Sequence, residues 1–129
     1  MTEIFISHAV KDKELAHIVM KLITESYDID PNDIFCSSYE GALDGGRNFV
    51  NSIKSSFEKS KLIILLLSKN YFSSQFCLSE LGATWISKSD FLPIIVPPEN
   101  FDCCIGVLTG VQAVNIYEDN FPTELSKKL

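Results

Sequence analysis

The sequence predicts a doubly wound parallel α/β sheet of five strands with helices on both faces. Two observations predict it. Short apolar runs alternate with helical periodicities along the whole chain. The run Leu62-Ile63-Ile64-Leu65-Leu66-Leu67 is apolar without alternation, the pattern of a strand covered on both faces. The length, 129 residues, suits one domain with one core-forming sheet.

Ile4-Phe5-Ile6 reads as the first strand. Leu15, Ile18, Val19, Leu22 and Ile23 follow at helical spacing and read as the inward face of a first helix, with Asp12 as its cap. Asp30-Pro31-Asn32-Asp33 is a turn, and residues 33–36 are a second strand. A glycine-bearing loop spans 37–46. A second helix then places Phe49, Val50, Ile53 and Phe57 inward. After the apolar third strand, a third helix starts near Ser73 or Ser74, with Leu78, Leu81 and Trp85 as its core stripe. Leu92-Pro93-Ile94-Ile95-Val96 is a fourth strand, stopped by Pro97-Pro98, and residues 111–117 are a fifth. Residues 122–129 begin a helix of about two turns.

Composition narrows the function. Eleven basic against seventeen acidic residues give a net charge of −6, which disfavours phosphate backbones and anionic lipid as partners. The N-terminus has no basic segment and no signal-peptide core, and six residues of apolar run fall far short of a membrane span, so a cytoplasmic domain is expected. Cys36, Cys77, Cys103 and Cys104 lack the spacing of a zinc site. They read as reduced, mostly buried thiols, and no metal site is expected.

In a doubly wound sheet, ligands bind beyond the carboxyl ends of the strands. The segment after the first strand, Ser7-His8-Ala9-Val10-Lys11-Asp12, has no glycine, which excludes a P-loop and a dinucleotide fingerprint there. The third strand ends in Ser68 and the fifth runs into Tyr117-Glu118, so the acid and lysine set of a response-regulator receiver is missing. A phosphate loop of the flavodoxin type is missing too.

The densest constellation is Ser68-Lys69-Asn70-Tyr71-Phe72-Ser73-Ser74-Gln75-Phe76-Cys77-Leu78-Ser79-Glu80-Leu81. It resembles the Toll/interleukin-1 receptor (TIR) domain pattern of a strand ending in Leu-Ser, then Tyr and Ser, then aromatic-Cys-x-x-Glu-Leu. Ile4-Phe5-Ile6-Ser7-His8 resembles the family's opening box. Asp44-Gly45-Gly46 sits where the family carries its mobile loop, and Phe91-Leu92-Pro93-Ile94-Ile95-Val96 resembles its late strand. The boxes occur in order over nearly the whole chain, 1–129, and are most similar to the bacterial branch.

The resemblance implies a flavodoxin-like fold. It also implies one of two activities: a non-catalytic TIR–TIR interaction module, or an enzyme cleaving NAD at the nicotinamide–ribose bond. In the second case NAD is the substrate, no cofactor is needed, and Glu80 is the essential carboxylate. The products are nicotinamide with ADP-ribose or a cyclic isomer. Activation by self-assembly, a neighbouring copy completing the site through the mobile loop, a fused sensor or oligomerisation domain, and a role as a bacterial antiviral effector are further implications. The chain then reads as the N-terminal part of a longer protein.

Bond cleavage to nicotinamide builds an oxocarbenium ion and releases a neutral leaving group, so one placed carboxylate is enough. Glu80 shares a helix face with Cys77, offset from the expected core stripe, which turns it toward the cleft. A solvated helix glutamate is the competing account. Near the helix start, the positive helix end would favour its ionised form. Ser7 and His8 are candidates for the nicotinamide pocket, His8 serving as a base or as a structural histidine. Ser37, Ser38 and Tyr39 are candidates for sugar or nicotinamide contacts, or ordinary turn residues. Arg47 is a candidate pyrophosphate partner and Cys77 a neighbour of the site. Gly41, Asp44, Gly45 and Gly46 belong to the loop as hinge or helix-entry turn. Tyr71-Phe72 reads as an anchor for the third helix, and His17 as a surface residue.

Overall fold

Six consecutive buried residues, Leu62–Leu67, form β3, the centre of a five-stranded sheet. The computed structural model describes residues 3–36, 53–109, 111–117 and 121–128. Around β3 stand β1 (Ile4–Ser7), β2 (Ile34–Cys36), β4 (Asp90–Ile95) and β5 (Val114–Asn115). The order is β2-β1-β3-β4-β5, and every pairing is parallel. The sheet is therefore the doubly wound, flavodoxin-like one expected, with its topological switch between β1 and β3.

Alternation along β3 divides the core. Leu62, Ile64 and Leu66 face α1 (Lys13–Tyr27) and α5 (Phe121–Lys128), packing with Ala16, Val19, Ile23 and Leu125. Ile63, Leu65 and Leu67 face the other way, toward helical residues 53–59 (α2), α3 (Lys69–Phe72) and α4 (Gln75–Ile86). Ile53, Tyr71, Cys77 and Leu81 close that side. Asp28 ends α1 in the left-handed region at φ 53°, a conformation Asp tolerates better than most residues.

Several expectations change. In α1, Ile18 is 63% exposed and Leu22 is also exposed, while Ala16 is fully buried. The sheet takes a stripe centred on Ala16, Val19 and Ile23, and Ile18 lies across the helix from it. Asp12 makes no side-chain cap to α1; its carboxylate is turned toward the end of β3 instead. In α4 the buried face is Cys77, Glu80, Leu81 and Thr84, not Leu78-Leu81-Trp85; Leu78 is 43% and Trp85 62% exposed. Both stripes share Leu81, and periodicity favoured the more hydrophobic one. β5 covers only Val114–Asn115 of the expected 111–117, and β4 starts at Asp90, ahead of the expected Leu92. The four thiols are free, but only Cys77 is fully buried. Phe49 and Val50 lie outside the described residues.

Candidate functional site

At the carboxyl end of β1, Ser7 turns its side chain to the α4 face of the sheet and is fully buried. Its hydroxyl donates to Glu80 Oε1 at 2.6 Å. The same oxygen lies 2.8 Å from the Tyr71 hydroxyl. A serine hydroxyl carries one proton; when Glu80 is ionised that proton goes to the carboxylate, so Tyr71 is then the donor to Ser7. The order is Tyr71 to Ser7 to Glu80, drawn from α3, β1 and α4.

Local structure fixes each member. Ser68 caps α3 by accepting from the Tyr71 amide at 3.0 Å, and Tyr71 is fully buried in the core on the α4 side of the sheet. Ser74 caps α4 by accepting from the Cys77 amide at 3.2 Å. Two turns of α4 then bring Glu80 level with Ser7. Thr84 donates back to the Glu80 carbonyl at 2.8 Å.

Glu80 is 6% exposed, and among the described residues no cation pairs with it. Its Oε2 is buried and has no hydrogen-bond partner among the described residues. Burial disfavours the charged form and lifts the carboxyl to about 7; the Ser7 hydroxyl works in the opposite direction and only partly offsets it. Burial also drives the Tyr71 hydroxyl far above the usual phenol range and the Cys77 thiol up to about 11, so both stay protonated near neutrality.

Glu80 lines a cavity of about 500 Å³ between α2 and α4, with Ile53, Phe57, Phe76 and Ala83 as apolar walls and Lys54 and Glu58 as charged members. That size is within the range of small-molecule sites. At the β1/β3 switch point itself, Asp12 accepts from Ser68 Oγ and from Asn70 Nδ2, the latter at 3.0 Å. This carboxylate stitches the two strand ends together. A smaller hollow of about 230 Å³ remains beside it, lined by Ala9, Lys11, Asn70 and Ser74 among others.

A family model described as "TIR domain" matches residues 4–129. The chain belongs to the TIR domain family. The crystal structure of the TIR domain of the Toll-related receptor TRR-2 from Hydra magnipapillata superposes with a TM-score of 0.72 at 17% identity, covering 98% of this chain and 97% of that one. At that identity the likeness is one of fold. Protein YddK of Bacillus subtilis (strain 168), described as uncharacterized, is 30% identical over 95 residues, 74% of this chain. The matched segment is 36% of that protein's length.

Within this TIR domain, Ser7, Cys77 and Glu80 come together at one end of the β1–α4 contact. His8, next to Ser7, is buried with Nδ1 donating to the Ile6 carbonyl at 3.2 Å, and burial lowers its pKa so that the ring is neutral near pH 7. Ser37, Ser38, Tyr39, Gly41, Asp44, Gly45, Gly46 and Arg47 lie outside the described residues. Sequence reasoning missed Tyr71 as a polar member of the site and Lys54 on the cavity wall. The only signal for Tyr71 was its place three residues after Ser68, a spacing that caps a helix and says nothing of where the phenol points. Among the described residues no group of three or more His, Cys, Asp or Glu is arranged to hold a metal ion, and no helix is long and apolar enough to cross a membrane.

Proposed function

We propose that this TIR domain cleaves NAD at the nicotinamide–ribose bond, with Glu80 as the catalytic carboxylate. One observation carries the reading: a glutamate is buried at the wall of a ligand-sized cavity with one oxygen held by Ser7 and the other unclaimed among the described residues. A buried carboxylate without a cation partner costs stability, and such groups concentrate where chemistry needs them.

The chemistry follows from the charge. The C1′–N bond breaks with its electron pair passing to the pyridinium nitrogen, so nicotinamide leaves neutral. Positive charge is left on the ribose ring. Glu80, ionised and shielded from water, stabilises that cation more strongly than an exposed carboxylate would. Water then adds to C1′ and loses a proton, giving ADP-ribose; capture by a nucleophile of the adenosine half instead gives a cyclic isomer. The flat apolar walls at Phe57 and Phe76 suit a pyridine ring, and Lys54 supplies a cation for the pyrophosphate. NAD is substrate here, and no cofactor is required. The reading extends, through the family resemblance, to a cytoplasmic antiviral effector in which self-assembly and a fused sensor domain switch on NAD loss.

Incubation with NAD at high protein concentration tests this. Nicotinamide release falls at least about 100-fold in Glu80→Ala. Equal release by both proteins removes the assigned role. A second reading, a non-catalytic TIR–TIR interaction module, is favoured by the apolar side chains that α4 leaves exposed at Leu78, Trp85 and Ile86. In that case neither protein releases nicotinamide at any concentration.

A further inference from the structure

The Tyr71 and Ser7 hydroxyls are both buried and neither reaches the cavity wall; Tyr71 bonds Ser7 Oγ, and Ser7 in turn bonds one oxygen of Glu80. We infer that Tyr71 and Ser7 are positioning residues, a two-step hydrogen-bond relay that fixes Glu80 through Oε1, leaves Oε2 for the ligand, and so governs the pH response of the site. The inference rests on the proposed reading for its catalytic meaning, but the relay is a property of the apo protein.

The polarity of the chain is the argument. In the ionised state Ser7 donates to Oε1, and Oε2 is the oxygen that the relay leaves without a partner among the described residues. Tyr71 donates to Ser7 and thereby holds the serine proton toward Glu80. Loss of the Glu80 proton leaves a carboxylate whose charge is partly carried by the relay and whose buried Oε2 keeps its lone pairs for a donor hydroxyl or a cation that enters the site. The proton itself passes to solvent. Among the described residues, the neighbouring titratable groups do not take over this function. Tyr71 from α3 and Cys77 from α4 remain protonated, His8 at the end of β1 remains neutral, and Lys54 and Glu58 on α2 offer one charge of each sign at the cavity wall.

The test reads Glu80 directly, by carbon-13 NMR titration of its side-chain carboxyl in the whole domain, for the wild type, Ser7→Ala, Tyr71→Phe and the double variant. Ser7→Ala moves the midpoint up by about one pH unit, and Tyr71→Phe moves it up by a smaller amount. The double variant moves no further than Ser7→Ala alone, because Tyr71 acts only through Ser7. If NAD is cleaved, Ser7→Ala lowers kcat several-fold below neutrality with KM unchanged, and the gap narrows at higher pH. Midpoints equal to wild type in both single variants overturn the relay, as do shifts that add in the double variant. Activity lost equally at every pH, with unchanged midpoints, assigns the pair a packing role instead. Tyr71→Phe removes a single oxygen and carries the test alone if Ser7→Ala does not fold. A relay that titrates as described in a protein that releases no nicotinamide would sink the catalytic reading and leave the relay standing.

Discussion

Ser7 and Glu80 stand 73 residues apart in the chain and 2.6 Å apart in the fold, the last residue of β1 donating to a carboxylate on α4. The contact needs β1 and β3 to be neighbours, α3 to return under the sheet, and α4 to run back along the same face. It is also a contact of unequal halves. Ser7 supplies one hydrogen bond where an ionised carboxylate can accept several, so burial dominates and Glu80 holds its proton up to about pH 7.

Activity should have an acid limb near neutrality. Only ionised Glu80 can stabilise an oxocarbenium ion, and its carboxyl is raised to about 7 in the folded domain. Turnover of NAD therefore falls as the pH drops through that value, roughly tenfold for each unit below it. The pH dependence of kcat/KM checks this in the unliganded protein. An acid limb near the ordinary carboxyl value of 4.5 would mean that Glu80 is not desolvated in solution.

Stability should run in the opposite direction. Between about pH 4.5 and 7 the unfolded chain has lost the Glu80 proton while the folded domain keeps it. Stability contributed by this group consequently declines as pH rises through that window, by about 3 kcal/mol at most. Glu80→Gln keeps the shape and the acceptor for Ser7 but carries no charge. At pH 8 it should raise stability by about 2 kcal/mol and Tm by roughly 5 °C. At pH 4, where wild-type Glu80 is protonated, the two proteins should melt together. Thermal unfolding at both pH values decides it without reference to any substrate.

Much of the fold was legible, for physical reasons that differ by element. Leu62–Leu67 declared itself because a strand buried on both faces needs no alternation. The start of α4 was legible near Ser73 or Ser74 because a capping hydroxyl acts within one turn, and Ser74 is the cap. Glu80 itself came through the family pattern. Its burial did not, because burial of a glutamate depends on partners brought from other elements, here Ser7 and Tyr71. Leu78 and Trp85 misled for the converse reason: apolar residues at helical spacing signal a buried face only where something packs on them. Ala16 was passed over because its small side chain adds little to a periodicity, although it is fully buried in the core between α1 and the sheet.

Asp12 should matter to stability rather than to chemistry. Its two oxygens receive Ser68 and Asn70, and Ser68 in turn caps α3 through the Tyr71 amide. The carboxylate thus ties the entrance of α1 to the end of β3. Asp12→Ala removes two charge-assisted hydrogen bonds and should cost about 2 kcal/mol, a fall in Tm of roughly 5 °C. Asp12→Asn keeps an acceptor for Ser68 and should recover about half of that loss. Denaturant melts of the three proteins provide the measurement. An Asp12→Ala protein as stable as wild type would show the stitch between the strand ends to be dispensable.

Trp85 offers the cleanest contrast between the sequence pattern and the fold. A tryptophan in the core stripe would cost about 3–5 kcal/mol on truncation to alanine. Here it is 62% exposed on the outer face of α4, beside Gly82, where an added Cβ would meet nothing within 4 Å. Trp85→Ala should then change stability by less than about 1 kcal/mol. As the chain's single tryptophan, it also reports its own surroundings. Its emission should be red-shifted in the native protein and readily quenched by acrylamide, with little further red shift on unfolding. Assembly of copies through this face of α4 would reverse both signs together: emission would move to the blue as protein concentration rises, and Trp85→Ala would weaken association while leaving the melting temperature of the dilute monomer unchanged.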